Sequence, residues 1–154
     1  MALSLCFMAV VDFAKRWRPR SRDGITVSRP VILCIDDEDL GLEIRKMVLE
    51  REGFCVLTAK DGVSGLAMLD TEQIDAVILD YAMPGINGGE VATIVRKRNP
   101  EMPILMLSAY VALPDDVMRV VSATATKGDG AFTLVEKLKE MLQTNASDGR
   151  GGSR

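Results

Sequence analysis

The chain has 154 residues, a formal net charge of −3 and no histidine. Its length suits one domain with a sizeable core, and its 47% hydrophobic and 27% charged residues are ordinary for a globular protein. The acidic balance leaves no basic footprint for nucleic acid, and the lack of histidine excludes imidazole general bases, Ser-His-Asp triads and most zinc centres.

Residues 1–29 read as an appendage, expected to be disordered. Leu3 to Val11 is apolar but too short to span a bilayer, which takes ~20 residues. The positive charge, Lys15 to Arg22, follows the apolar run, whereas a signal peptide carries it in front. Because these charges form a block rather than one helical face, they speak against an interfacial anchor. The domain is expected over residues 30–142.

Val31 to Ile35 is a short apolar run, the pattern of a strand buried on both faces, and four acids follow it, Asp36 to Asp39. Asp39 is placed to cap a helix whose apolar positions are Leu40, Ile44, Met47 and Val48, with Gly53 as its stop. Phe54 to Thr58 is the second strand. Asp61-Gly62 turns the chain into a second helix with Val63, Leu66 and Ala67 on one face. Asp75 to Asp80 is the third strand, closed by Pro84, Gly85 and Gly88.

The third helix carries Val91, Ile94 and Val95, with Arg96-Lys97-Arg98 complementing its dipole. Pro103 to Ser108 is the fourth strand. Pro114, Asp115 and Asp116 open a helix that runs to Val121. Ser122 to Thr126 is a weak fifth strand ending at Lys127. A last amphipathic helix places Ala131, Leu134, Val135, Leu138 and Leu142 on one face. From Gln143 onward Asn, Ser, Gly and Arg dominate, so residues 143–154 are expected to be a disordered tail. Cys6, Cys34 and Cys55 form no C-x-x-C pair, and Cys34 and Cys55 read as buried free thiols in a reducing compartment.

Strands alternating with helices make an α/β fold: a five-stranded parallel sheet, doubly wound, with helices on both faces as a three-layer sandwich. All strands of such a sheet end on one side, where ligands bind. That edge collects Asp36, Asp37, Thr58, Asp80, Ser108 and Lys127. Carboxylates ~4 Å apart repel by about 4 kcal/mol even at an effective dielectric of 20, so positive charge belongs among them. Lys127 supplies part of it. A hard cation suits the rest, and Mg²⁺ fits best because it takes few carboxylates and keeps several waters. A carboxylate in such a site can accept a phosphoryl group as an acyl phosphate.

Over residues 30 to 142 the chain resembles the receiver domain of two-component response regulators. Asp36-Asp37 resemble that family's metal-binding acids. Asp80 with Met83-Pro84-Gly85 and Asn87-Gly88 resembles its phosphoacceptor segment, Ser108-Ala109 its switch hydroxyl, and Lys127 its lysine after the fifth strand. The resemblance implies a flavodoxin-like (βα)5 fold. It implies Mg²⁺ held by Asp36, Asp37, Asp80 and the Ala82 carbonyl, with Asp36 acting directly or through a metal-bound water. Asp80 would accept phosphate from a sensor histidine kinase or a histidine phosphotransfer protein, while Ser108 and Lys127 bind it.

Three features depart from the family pattern. Gly128 stands where proline usually follows the lysine, Thr124 stands where an aromatic is frequent, and the segment from Ser108 to Lys127 is short. Ala82 and Tyr110 occupy positions that in this family tune phosphate lifetime.

The sequence reading is thus a stand-alone, cytoplasmic receiver of the chemotaxis-regulator type, monomeric or weakly dimeric. It would act by docking a downstream protein or by relaying phosphate, without nucleic-acid binding, a membrane span or turnover of a separate substrate. The alternatives are a Mg²⁺-dependent phosphatase with Asp80 as nucleophile and a receiver-like module that is never phosphorylated. The phosphatase chemistry wants a second acid two residues on, where this chain has Ala82.

Overall fold

The computed structural model describes residues 29–109 and 112–148; the expectations for residues 1–28, including Cys6, for Tyr110 and for residues 149–154 fall outside them. Strands β1 (Val31–Ile35), β2 (Cys55–Ala59), β3 (Ala76–Asp80), β4 (Ile104–Ser108) and β5 (Ala123–Thr126) alternate with helices α1 (Asp39–Arg51), α2 (Gly62–Thr71), α3 (Gly88–Arg98), α4 (Asp115–Val120) and α5 (Gly130–Asp148). All strand pairs are parallel, in the order β2-β1-β3-β4-β5. This is the doubly wound sheet expected from the alternation. The winding reverses between β1 and β3, so the loops after these neighbouring strands leave to opposite faces and open a crevice.

Every residue of β3 and β4 is buried, as unbroken apolar runs in a doubly covered sheet should be. Alternate strand residues feed two cores. Ile32, Cys34, Ile78, Leu105 and Leu107 pack with Leu42, Leu49, Leu134 and Leu138 of α1 and α5. Leu33, Ile35, Val77, Leu79, Ile104 and Met106 pack with Leu66, Val91, Val95 and Val117 of α2, α3 and α4. At roughly 1.5–3 kcal/mol for each fully buried aliphatic side chain, these two layers carry the fold.

Several local expectations shift. Helix α1 buries Leu42 and Leu49, while Leu40, Ile44 and Met47 are exposed. The helix is apolar on two sides, and the sheet takes the stripe spaced 42, 45, 49. Glu38, without a side-chain cap bond, is its N-cap, and Asp39 pairs instead with Lys60 at 2.7 Å. Gly53 ends it as expected, with φ of 96° beyond the reach of most side chains. In α2 the buried positions are Gly62, Gly65 and Leu66, with Val63 and Ala67 exposed. Strand β2 lies one residue later than expected, and as the outermost strand it leaves Cys55 exposed. Cys34 is buried, and burial pushes its thiol up to about 12, which keeps it inert.

The last helix does not stop at Leu142, where the sequence suggests a disordered tail. It continues to Asp148, because Met141 and Leu142 are buried and the next turn is pinned. Thr144 Oγ1 donates to Glu140 O at 3.0 Å, and Asn145 Nδ2 donates to Glu101 O at 2.6 Å. Among the described residues no helix is long and apolar enough to cross a membrane.

Helix α3 is seated directly on the end of β3. Asn87 and Glu90 form a reciprocal capping box, and Gly88 N donates to Tyr81 O at 2.9 Å. A Cβ on Gly88 would lie 2.2 Å from Asp80 O and 2.8 Å from Tyr81 Cα, contacts that backbone atoms cannot relieve. Gly88→Ala is therefore expected to cost about 1–3 kcal/mol, read as a lower urea midpoint with an unchanged slope.

Candidate functional site

The carboxyl ends of β1, β3, β4 and β5 meet at the crevice. Asp36 directly follows β1, Asp80 ends β3, Ser108 ends β4 and Lys127 follows β5. Among the described residues Asp36, Asp80 and Ser108 are the buried polar ones, at 1%, 2% and 2% exposure, set side by side by the register of β1, β3 and β4. Thr58, also expected at this edge, lies inside β2, exposed and paired with Cys34. The edge position there belongs to Ala59, whose carbonyl accepts from Asp36 N at 3.1 Å. Asp37 is exposed at the mouth, and Ala82 lies two residues beyond Asp80 in the loop before α3.

Asp36, Asp37 and Asp80 each present a carboxylate oxygen, all within 4.8 Å of one another. Lys127 Nζ sits 3.1 Å from Asp80 Oδ1 and 3.4 Å from Asp36 Oδ2. Asp36 is well supplied: Glu38 N donates to its Oδ1 at 2.9 Å, and the Arg45 guanidinium pairs with its Oδ2. Both oxygens of Asp80 are buried, and apart from the Lys127 ion pair at Oδ1 neither has a hydrogen-bond partner among the described residues. Burial, then the Asp36 charge, raise the Asp80 pKa, and the Lys127 contact only partly offsets them. Burial pulls Lys127 down, but the bond and charge of Asp80, with those of Asp36, outweigh it and hold the ammonium above its usual value.

Buried carboxylate oxygens with a single ammonium partner, beside two further acids, suit a small oxygen-seeking cation. Asp80 and Asp37 are the open donors of the set. Lys127 is itself tied down, its N–H donating to Ser108 O at 2.9 Å. The loop it begins is closed by Asp129, whose carboxylate accepts from Thr126 N at 2.9 Å.

The sequence model of the response regulator receiver domain family matches residues 32–142. The chain belongs to that family. A probable transcriptional regulatory protein of Mycobacterium tuberculosis, TcrX, is 34% identical over 123 residues, which are 80% of this chain and 50% of TcrX. This chain thus spans about half the length of that relative.

Among solved structures, a CheY-like receiver domain protein from Methanospirillum hungatei is 28% identical at a TM-score of 0.75, covering 79% of this chain and 99% of the other. The response regulator TrrA from Thermotoga maritima, solved in complex with Mg²⁺-BeF, is 34% identical at a TM-score of 0.70, covering 73% and 98%. TrrA has also been solved in complex with the histidine kinase ThkA, in a structure matched at 35% identity and a TM-score of 0.69, again covering 73% of this chain and 98% of TrrA.

In this receiver the departures from the family pattern have visible consequences. Gly128 is exposed, and the Asp129 turn closes the loop after Lys127. Thr124 leaves a cleft of about 320 Å³ lined by Ser108, Met118, Thr124 and Lys137 among others, and Lys137 Nζ reaches into this region to donate to Thr124 O at 2.6 Å. The short segment after Ser108 leaves α4 only six residues long. Arg96 braces its end, donating from Nε to Val120 O at 3.0 Å and from Nη2 to Ser122 Oγ at 3.3 Å. The basic triplet is thus more than a dipole complement: Arg98 also pairs with Asp70 at 3.0 Å.

Two residues of this neighbourhood were not singled out from sequence. Asp129 could have been read from the Gly-Asp turn signal after Lys127. Arg45 could have been read from its place on the 42, 45, 49 stripe.

An aspartate whose pKa is raised on folding weakens the fold above that pKa and ceases to do so as protonation sets in. Asp80→Asn should therefore raise the melting temperature of the metal-free protein at neutral pH, by roughly 4 °C for each kcal/mol relieved. The difference from wild type should shrink as pH falls toward 4, the ordinary carboxylate range, in thermal melts run in EDTA.

Proposed function

We propose that this receiver accepts a phosphoryl group on Asp80 and signals through the phosphorylated form. The observation that carries the reading is Asp80 itself: a buried carboxylate at the end of the central strand, partnered among the described residues only by the Lys127 ammonium 3.1 Å from Oδ1, with two acids within ligand distance. Such a group is held ready for a cation and an incoming electrophile.

Asp37, Asp80 and the Ala82 carbonyl would hold Mg²⁺, with Asp36 acting through a metal-bound water, and the ion when bound would neutralise charge on the transferring phosphoryl oxygens. An oxygen of Asp80 attacks phosphorus in line with the bond to a phosphorylated histidine of a kinase or a histidine phosphotransfer protein. That P–N bond breaks, and its electron pair leaves with the imidazole. Lys127 lies where it can pair with an oxygen of the transferred group, and Ser108, one strand over, can donate its hydroxyl to another. The product adds ~1.5 to 2 negative charges to the crevice, and it shifts the protein between conformers only to the extent that one holds the phosphoryl group better.

A kinase partner is supported by the ThkA complex of TrrA. The magnesium requirement is supported by the Mg²⁺-BeF complex of the same relative. The chain catalyses only its own phosphorylation and dephosphorylation in this reading, and its place is the cytoplasm, where such kinases present their phosphohistidine.

Intact mass after incubation with phosphoramidate or acetyl phosphate tests this. One phosphoryl increment is expected with Mg²⁺, and none with EDTA or in Asp80→Asn. An increment of equal yield in Asp80→Asn would overturn the assignment of Asp80, and an equal yield in EDTA would overturn the metal requirement.

A further inference from the structure

We propose that Arg45 is a resident counter-ion of the acidic site: it takes up part of the charge of Asp36 and sets the affinity for a divalent cation below what the carboxylates alone would give. The inference rests on the metal site proposed above.

Arg45 lies on the buried stripe of α1, between Leu42 and Leu49, where an aliphatic side chain would ordinarily complete the core. Its side chain is only 13% exposed, and its guanidinium reaches past the helix to Asp36 Oδ2. The route is open because position 41 is glycine. A Cβ there would stand 3.0 Å from Arg45 Nη2 and 3.3 Å from Nη1, closer than a guanidinium tolerates without shifting. Gly41 weakens a helix interior, and the guanidinium lies directly over it. The pair therefore reads as one arrangement, a gap and the cation that fills it.

The charge count follows. Three carboxylates face two cations, Arg45 and Lys127. Asp36 Oδ1 is held by Glu38 N–H and Oδ2 by Arg45 and Lys127, so Asp36 has little capacity left for a metal. A guanidinium bound to one acid of the cluster repels any divalent ion bound to the others. It also leaves Asp36 oriented and compensated when no metal is present. Lys127 touches both Asp36 and Asp80, so it serves the site whichever state it is in. Arg45 touches Asp36 alone and acts through it, as a positioning residue rather than one that meets the phosphoryl group.

The test is Mg²⁺ titration by calorimetry on the full chain, comparing wild type with Arg45→Met, Arg45→Lys and Arg45→Gln, each checked by urea unfolding in EDTA. Arg45→Met keeps the volume and removes the charge, and Mg²⁺ should bind about tenfold tighter, the size of one unit charge near a divalent ion under water-like screening. Arg45→Lys should stay near wild type. Arg45→Gln removes the charge but keeps an amide donor for Asp36, so it should tighten binding in the same direction, and it decides the matter if Arg45→Met does not fold in EDTA. Equal or weaker Mg²⁺ binding in the folded Arg45→Met variant, or in Arg45→Gln when that variant decides, overturns the inference while leaving the metal site intact. Absence of Mg²⁺ binding in every folded variant would instead overturn the metal site and the inference together.

Discussion

Three carboxylates within 4.8 Å of one another at the end of a buried sheet are the constraint on which the site depends. Like charges at that spacing repel by several kcal/mol unless solvent or cations intervene, and two of the three are almost fully buried. The chain does not solve this by spreading the acids apart. It brings cations to them from two directions: Lys127 from the end of β5, and Arg45 from the core-facing side of α1. The compensation is uneven. Asp36 is held by Glu38 N–H, Arg45 and Lys127, and Asp80 by Lys127 alone, so the remaining electrostatic demand is concentrated on the carboxylate at the sheet's centre.

That concentration follows from topology. Asp36 and Asp80 come from β1 and β3, which are adjacent in space with β2 wound to the far side. The two loops therefore diverge and leave their first residues facing across a gap. Four fixed points hold the gap: the Ala59 carbonyl on Asp36 N, Tyr81 N on Leu107 O, Gly88 N on Tyr81 O and Lys127 N on Ser108 O. Three of these backbone bonds join neighbouring strand ends, and the Gly88–Tyr81 bond closes the loop after β3 on itself. The side chains are thus aimed by the sheet itself, and the requirement that Gly88 carry no Cβ is the steric counterpart of that aim. The loop after β3 has to fold back tightly enough for α3 to start beside the residue that ends the strand.

Much of this was legible in the sequence because apolar runs ending in a polar residue report strand ends directly. Val31 to Ile35 before Asp36, Ala76 to Leu79 before Asp80, and Ile104 to Leu107 before Ser108 each place a polar side chain at a strand terminus without knowledge of the fold. The weaker assignments came where that signal fades. Strand β2 sits at the sheet's edge, so its inside and outside are set by neighbours rather than by its own pattern, and Cys55 turns out exposed. Helix α1 carries apolar residues on two sides, and only the packed structure decides that Leu42 and Leu49, not Leu40 and Met47, face the sheet. The C-terminal helix outruns its apolar pattern because Asn145 finds a carbonyl at Glu101, a partner 44 residues away that composition cannot announce.

Arg45 shows most clearly what pattern reading leaves out. Hydrophobic periodicity asks which positions are apolar, and a charged residue on a buried stripe then looks like noise at the edge of the pattern. Its meaning needs two further facts, that Gly41 leaves space one turn earlier and that the strand beneath ends in an acid. Both facts are local in sequence, within ten residues of each other, but they become one fact only when β1 and α1 are packed. A buried arginine is tolerated only where a charge waits for it, and here the waiting charge belongs to the site. The same substitution of an ion pair for an apolar contact that costs the core a packed side chain gives the acidic cluster a fixed positive neighbour, so the helix packing and the electrostatics of the crevice are set by one residue.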